Sequence, residues 1–204
     1  MSASRIDCAY TFDAMPKPTR LTHLNSRGQA TMVNVGAKIA TAREAIAEGV
    51  VQMRRETLAA ISSGSIPKGD VFAAARLAGI LAAKKTGELI PLCHPLPIES
   101  VSVEFELPKI TASKKSSESV DLRIRATASI TAKTGVEMEA LTAVAMAALT
   151  IYDMCKAIDR AMSVREIKLI RKTGGKTDFD RDAVETKTNA RPKTGKSHDA
   201  SRSR

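Results

Sequence analysis

The segment from Thr134 to Lys156 constrains the fold more than any other part of this 204-residue chain. Almost everything between Ala140 and Tyr152 is apolar, which predicts a long helix that is buried nearly all round. Its main apolar stripe, spaced three and four residues apart, consists of Leu141, Val144, Ala145, Ala148, Tyr152 and Cys155. The chain is long enough to build a core around such a helix, in one domain or at most two.

Charged residues occupy both ends of this predicted helix. Glu137 and Glu139 lie at its start, and Asp153 and Lys156 lie at its end. At a rise of about 1.5 Å per residue, Glu139 and Asp153 are roughly 21 Å apart along the axis, too far for one small molecule to touch both. If both ends serve one site, that site combines ends from two chains. The geometry thus gives the hypothesis of an active site shared between subunits of an oligomer.

Each end also has an ordinary structural interpretation. Thr134 followed three residues later by Glu137 is a capping-box signature, which would fix the start of the helix. Asp153 and Lys156 have the i,i+3 spacing of a surface ion pair, worth roughly a few tenths of a kcal/mol. Glu139 has no comparable explanation.

Composition and charge limit the classes of protein. The longest apolar run, within residues 140–152, is shorter than the roughly 20 residues that span a bilayer, so we expect no transmembrane helix. The N-terminus lacks the apolar stretch of a secretory signal, which favours the cytosol, and its early Arg and Ser residues leave an organellar targeting peptide as the alternative. The three cysteines have no CxxC spacing and are expected to be reduced thiols rather than disulfides or zinc ligands.

The net charge of +10 is uneven along the chain. Residues 181–204 hold seven Lys or Arg against three Asp or Glu and almost no apolar residue, which predicts a disordered basic tail. We expect a flexible extension at 1–20 and a single domain at 21–180. A basic domain suits an anionic substrate, and it would suit nucleic acid equally.

The remaining patterns predict an α+β fold, with helices packed on a mostly antiparallel sheet. Asp70 is the expected N-cap of a helix that runs to about Lys85, where Thr86 and Gly87 supply the stop. One side of this helix, which includes Leu81, is expected to face the core. The full set of its predicted core residues is Val71, Ala74, Ala75, Ala78 and Leu81. Residues 54–63 also favour a helix. Strands are expected at 31–35, at 164–171, and as a hairpin of 98–107 with 120–131 around a loop at 108–119, whereas 40–52 is ambiguous.

Four further residues have side chains suited to binding or proton transfer. Lys68 precedes a helix start, where an anion is favoured, and Lys172 begins a Lys-Thr-Gly-Gly-Lys turn with exposed backbone N–H groups. His94 lies between two prolines, which would hold it stiffly, and Arg43 could bind phosphate in a bidentate manner. The alternatives are a surface lysine, a plain glycine turn, a hydrogen-bonded turn histidine and a solvated arginine. Adjacent Cys93 and His94 have no further ligands nearby in sequence, so a metal site is not expected.

Taken in order, four segments are specific. HLNSRGQATMVNV, KGDVFAAARLAGILAAKKTGELIPLCHPLPI, TGVEMEALTAVAMAALTIYDMCKAIDR and IKLIRKTGGKTDF closely resemble the molybdenum cofactor biosynthesis protein C (MoaC) family, the cyclic pyranopterin monophosphate synthases. The resemblance covers roughly residues 21–179. It implies a ferredoxin-like fold, a strand at 40–52, and a hexamer, a trimer of dimers, with active sites at a subunit interface. It also implies conversion of 3',8-cyclo-7,8-dihydro-GTP to cyclic pyranopterin monophosphate with release of pyrophosphate, without a redox cofactor; a divalent metal accompanying the triphosphate is left open.

The resemblance also implies which residues form the site, and we hypothesise their roles from the chemistry of the reaction. Asp153 and Lys156 would perform acid–base catalysis with Lys68 close by, and repulsion between the lysines would move their pKa values towards neutrality. Substrate binding falls to Arg43, Leu92, Cys93, His94, Glu137, Met138, Glu139 and Lys172. Among these, Arg43, His94 and Lys172 would hold the triphosphate, while Glu137 and Glu139 would accept hydrogen bonds from the guanine-derived ring.

Two other functions remain compatible with the residues alone. A basic α+β module can bind RNA through its phosphates, although aromatic residues, at 3%, are too few for base stacking to dominate. An inactive scaffold of the same fold is the other alternative. The matched set of charged residues argues against it.

Overall fold

The computed structural model describes residues 27–108 and 119–184. The chain divides into a unit that ends at Asn34 and a compact unit that begins at Val35. The strand predicted at 31–35 is wrong, because these residues adopt no strand and most of their side chains are exposed. The predicted extension at 1–20 lies outside the described residues. Of the predicted tail only 181–184 is described, as a helical turn.

The unit that begins at Val35 is built on a five-stranded sheet. Its strands are β1 (Thr41–Arg54), β2 (Ser100–Glu106), β3 (Ser119–Ala132), β4 (Ser163–Thr173) and β5 (Phe179–Asp180), in the order β2-β3-β1-β4-β5. Each neighbouring pair is antiparallel, which confirms the α+β prediction and gives a ferredoxin-like arrangement. The predicted hairpin is β2 with β3, and most of its connecting loop, 109–118, lies outside the described residues.

The ambiguous segment 40–52 is the central strand β1, as the family resemblance implied. It pairs with β3 along one edge and with β4 along the other. Strand β3 alternates strictly between buried and more accessible residues, so one face of the sheet carries the core. The buried residues of β3 are Leu122, Ile124, Ala126, Ala128 and Ile130.

The helices are α1 (Arg55–Ser62), α2 (Val71–Lys84), α3 (Thr86–Leu89) and α4 (Glu137–Cys155). Helix α2 begins at Asp70, whose carboxylate accepts a hydrogen bond from the Ala73 N–H at 2.9 Å, as predicted. Its predicted stop at Thr86 is wrong in part, because Thr86 instead opens the short helix α3. Helix α4 packs on β1, β3 and β4 and lies against α2.

The contact between α2 and α4 is closest at Gly79. A Cβ atom there would lie 2.8 Å from the Ala143 carbonyl oxygen, so only glycine lets the two helices approach this closely. This contact fixes which side of α2 is buried: Val71 and Ala75 face the core as predicted, but Leu81 is 48% exposed and the prediction for it is wrong.

Helix α4 differs from its prediction in two respects. Its N-cap is Val136 and no side chain caps it, so the Thr134–Glu137 capping box is wrong. Leu149 is 55% exposed, so the helix is not buried nearly all round. Among the described helices α4 alone is long and apolar enough to cross a membrane, by length and composition only. A central core helix has the same properties, and α4 packs on three strands of the sheet.

Candidate active site

The residues predicted from sequence fall into two clusters at opposite ends of α4. The carboxy-terminal cluster consists of Lys68, Asp153 and Lys156. The amino-terminal cluster consists of Arg43, Leu92, Cys93, His94, Glu137, Met138, Glu139 and Lys172. Because α4 is a continuous helix from Glu137 to Cys155, its rise of about 1.5 Å per residue places Glu139 and Asp153 roughly 21 Å apart. The two clusters do not meet within one chain.

Asp153 is the centre of the carboxy-terminal cluster. Its Oδ1 lies 2.6 Å from the Lys156 Nζ, and its Oδ2 lies 2.8 Å from the Lys68 Nζ. The Lys68 ammonium also donates to the backbone carbonyl of Asp153 at 2.9 Å. Lys68 comes from the loop before α2, so this contact joins that loop to the last turn of α4. About half of each of the three side chains is exposed.

These contacts set the charges of the carboxy-terminal cluster. Hydrogen bonds from Lys156, and then from Lys68, lower the pKa of Asp153 to about 2. The bond to Asp153 raises the pKa of Lys156, so the expectation that it moves towards neutrality is wrong for the single chain. A carboxylate placed between the two ammonium groups outweighs their mutual repulsion. At neutral pH Asp153 is therefore a carboxylate and Lys156 is a protonated donor.

Glu137 and Lys172 are paired in the amino-terminal cluster. The Lys172 Nζ lies 3.0 Å from Glu137 Oε1, which joins β4 to the first residue of α4. The capping box fails because the N-cap residue is Val136 and not Thr134, and the Glu137 carboxylate pairs with the lysine instead of a backbone N–H. Arg43, Glu137 and Lys172 line one small cleft together with Gly175.

The glycine turn after β4 is fixed to the start of β1. Gly174 has a φ of +81°, and a Cβ there would lie 1.8 Å from the Ala42 carbonyl oxygen, so another residue would displace the turn. The Thr41 hydroxyl donates to the Gly174 carbonyl at 2.7 Å. The Gly174 N–H donates to the Asp178 carboxylate at 3.1 Å, so it already has a partner and is not a spare anion donor. The turn therefore holds Arg43 and Lys172 beside each other.

Glu139 is the most enclosed member of the amino-terminal cluster. Its side chain is 1% exposed, and its Oε1 lies 3.7 Å from the Cys93 Sγ. Burial, and to a smaller extent the like charge of Glu137, raises the pKa of Glu139. Burial and then Glu139 raise the pKa of the Cys93 thiol to about 11.

The Cys93–Glu139 contact was not predicted. The sequence did carry one indication of it, because Glu139 lies in line with Ala143, Ala147 and Ile151 at intervals of four on the buried stripe of α4. A carboxylate at such a position needs a nearby donor. The other predicted binding residues in this region, Leu92, His94 and Met138, are each partly exposed.

Asp159 is a second residue that sequence reasoning missed. It is 2% exposed and accepts hydrogen bonds from the Arg54 N–H and the Thr57 hydroxyl, both at 2.9 Å, and from the Ala161 N–H at 3.2 Å. These bonds join the start of α1 to the loop after α4. They therefore support the position of Lys156, the first residue of that loop.

The described residues contain no group of three His, Cys, Asp or Glu side chains arranged as metal ligands. Cys93 and Cys155 are both free thiols. The charged side chains at the two ends of α4 are instead mainly lysine, arginine and carboxylate, a set suited to a phosphate-bearing ligand with hydrogen-bond donors.

Comparison with known proteins shows a family whose match contains both clusters. A family model described as the MoaC family matches residues 32–175, a range that contains every residue of both clusters. Over 163 residues, the chain is 55% identical to a cyclic pyranopterin monophosphate synthase of Roseiflexus sp. (strain RS-1), covering 79% of this chain and 98% of that protein. Proteins of the same name from Pelotomaculum thermopropionicum and Novosphingobium aromaticivorans are each 54% identical, covering 82% and 77% of this chain and 95% and 94% of their own lengths. The chain therefore belongs to the MoaC family.

Proposed function

We propose that this chain is a cyclic pyranopterin monophosphate synthase, a lyase of molybdenum cofactor biosynthesis. It converts 3',8-cyclo-7,8-dihydro-GTP to cyclic pyranopterin monophosphate and releases pyrophosphate. The observation that carries the proposal is the family match over residues 32–175, which includes both charged clusters in full. A rearrangement of this kind has no net oxidation, so no redox cofactor is required.

The working site combines two chains. Each chain has an amino-terminal cluster at one end of α4 and a carboxy-terminal cluster at the other, roughly 21 Å away at a rise of about 1.5 Å per residue. A two-fold symmetric contact places the first cluster of one subunit against the second cluster of its partner, and it does so twice. We infer that three such dimers form the hexamer that the family resemblance implies.

The charges divide the chemistry between the clusters. In the carboxy-terminal cluster, the Lys156 ammonium donates a proton to the substrate. Asp153 accepts a proton from the substrate once the substrate has displaced the lysine partners of Asp153. Contact of Lys68 or Lys156 with the substrate would free that carboxylate, because one ammonium cannot pair fully with two acceptors at once. The cluster is thus set to respond to substrate.

The amino-terminal cluster binds the two ends of the substrate. Arg43 and Lys172, together with His94, offset the negative charge of the triphosphate and of the departing pyrophosphate. Glu137 and Glu139 accept hydrogen bonds from N–H groups of the guanine-derived ring. A divalent ion that accompanies the triphosphate would reduce the same charge, and removal of metal with a chelator tests that role.

Location and partners follow the same proposal. The chain acts in the cytosol on a free nucleotide-derived substrate, and it requires neither nucleic acid nor a membrane. The basic residues beyond 181 are then accessory. Deletion of 185–204 should leave turnover unchanged.

Turnover tests the proposal directly. The purified chain is incubated with enzymatically made 3',8-cyclo-7,8-dihydro-GTP, and pyrophosphate and the fluorescent oxidised pterin are measured. Lys156→Ala should abolish both products without changing the assembly seen in gel filtration. Lys84→Ala, which removes an exposed lysine at the end of α2, serves as the matched control and should keep full activity. A wild-type chain that forms neither product would refute the function, and an active Lys156→Ala variant would remove Lys156 from the mechanism.

A further inference from the structure

The buried carboxylate of Glu139 is only half satisfied. Its Oε1 accepts from the Cys93 thiol, whereas Oε2 has no hydrogen-bond partner among the described residues. The side chain is 1% exposed, so bulk water does not replace that partner. An unpaired buried carboxylate oxygen is costly, and proteins keep one where a ligand supplies the donor.

The thiol opposite this carboxylate is a donor and not a nucleophile. A pKa of about 11 keeps Cys93 protonated at neutral pH, and the S–H points its hydrogen bond at Glu139. The residue is also held firmly. Its N–H donates to the Ile90 carbonyl at 3.0 Å, and prolines flank the segment at 91 and 95.

We propose that Cys93 is a positioning residue that acts through Glu139, holding Oε1 so that Oε2 is left to accept an N–H from the guanine-derived ring of the substrate. This inference rests on the proposed function. It gives Cys93 a role in addition to the substrate contact that the resemblance implies. Fixing one oxygen also fixes the rotamer of the carboxylate, so the second oxygen keeps one direction.

The thiol also affects which form of Glu139 is present. Burial and the neighbouring Glu137 favour the protonated acid, while a donor favours the carboxylate. Glu137 is itself paired with Lys172, Arg43 lines the same cleft, and His94 follows Cys93 in the chain. Loss of the thiol donor should therefore raise the pKa of Glu139 and shift the acid limb of activity to higher pH.

Two substitutions separate donation from packing. Cys93→Val keeps an apolar side chain of similar size but removes the donor, and Cys93→Ser keeps a donor in a smaller polar side chain. If the thiol acts as a donor, Cys93→Val should lower kcat/KM about tenfold. It should also move the midpoint of the acid limb of the pH–activity profile up by roughly one pH unit, while Cys93→Ser stays near wild type. If Cys93 only fills space, Cys93→Val should equal or exceed Cys93→Ser, and that order would overturn the proposal.

A double-mutant cycle tests whether Cys93 works through Glu139. In a Glu139→Gln background, Cys93→Val should have little further effect on the dissociation constant for substrate, measured in chains that all carry Lys156→Ala so that none is turned over, because the carboxylate that the thiol holds is gone. Independent, additive losses would overturn the proposal. Wild-type turnover in the same experiment separates the two hypotheses, since an inactive wild type refutes the function and not the positioning.

A measurement that does not depend on activity completes the test. The Glu139 carboxyl carbon is assigned by its loss in Glu139→Gln, and its NMR titration is compared in wild type, Cys93→Ser and Cys93→Val. The pKa of Glu139 should be highest in Cys93→Val. Equal values in the three proteins would overturn the role of Cys93 even if turnover is never observed.

Discussion

Mixed oligomers of two inactive variants give the sharpest prediction. Glu139→Gln disables the amino-terminal cluster and Lys156→Ala disables the carboxy-terminal cluster, so neither variant alone should turn over substrate. Since the clusters are roughly 21 Å apart on one helix, a site drawn from two chains can still be complete when the two variants are paired. Each mixed pair then contains one intact site and one doubly altered site.

The expected magnitude follows from the two-fold arrangement. With random pairing of equal amounts, half of the pairs are mixed, and half of the sites in a mixed pair are intact, so about a quarter of wild-type activity should return. The two chains are co-expressed with different affinity tags and purified in tandem, which removes assemblies of a single variant and leaves the expected value at about a quarter, because nearly all random hexamers contain both variants. Pyrophosphate release is measured against wild type.

The control uses two variants of the same cluster. Glu139→Gln mixed with Glu137→Gln should recover nothing, since every pair then contains only altered amino-terminal clusters. Absence of recovery in a tandem-purified mixture of Glu139→Gln and Lys156→Ala would refute the shared site. So would full activity in a dilute, demonstrably monomeric wild type.

Three further predictions concern the supporting structure. Gly79→Ala should destabilise the fold by about 1–3 kcal/mol in thermal unfolding, because its Cβ would lie 2.8 Å from the Ala143 carbonyl oxygen, although alanine normally favours a helix; increased stability would contradict the close contact. Gly174→Ala should lower kcat/KM on the order of 10²-fold with the fold intact by circular dichroism, since the new Cβ would collide with the Ala42 carbonyl and displace the turn. Burial alone would raise the pKa of Asp159, but its hydrogen bonds outweigh burial and lower it, so its carboxylate stabilises the fold above the unfolded pKa and this stabilisation is lost as pH falls through the lower folded value. Asp159→Asn should therefore cost about 1–3 kcal/mol in urea unfolding at pH 7, and the difference should shrink below about pH 4; a constant difference across that range would contradict the ionic role.

Strands with one buried face were predictable from their own alternation of apolar and polar residues. The central strand β1 was not predictable from its own residues. In β2 and β3, alternation in the sequence reports a sheet with one covered face, whereas β4, also predicted from alternation, has no fully buried residue and pairs with β1 through two register shifts. In β1, every residue from Ala47 to Val51 is buried, including Glu48, so the alternation disappears. Glu48 is tolerated there because Arg123 and Arg125 on β3 pair with its carboxylate. A local pattern cannot report a partner on another strand.

The site shows the same division between local and long-range information. Motifs gave the identities of the cluster residues, and the helix rise gave their separation. The partners of Glu137, Glu139 and Asp159 come from segments that are distant in sequence. For Glu137, the local pattern therefore predicted a capping box, whereas the structure has an ion pair with Lys172. The prediction that the pKa of Lys156 moves towards neutrality was wrong for a related reason. The direction of that shift depends on how closely Asp153 lies between the two lysines, which the sequence does not report.

The length of α4 has a consequence for regulation. Under the proposal of a shared site, in which each tip of the helix carries half of the catalytic set, the output of the enzyme depends on how many subunits have assembled and not only on how many have folded. Specific activity should then fall on dilution below the dissociation constant of the dimer, which couples pterin synthesis in the cell to the abundance of the chain.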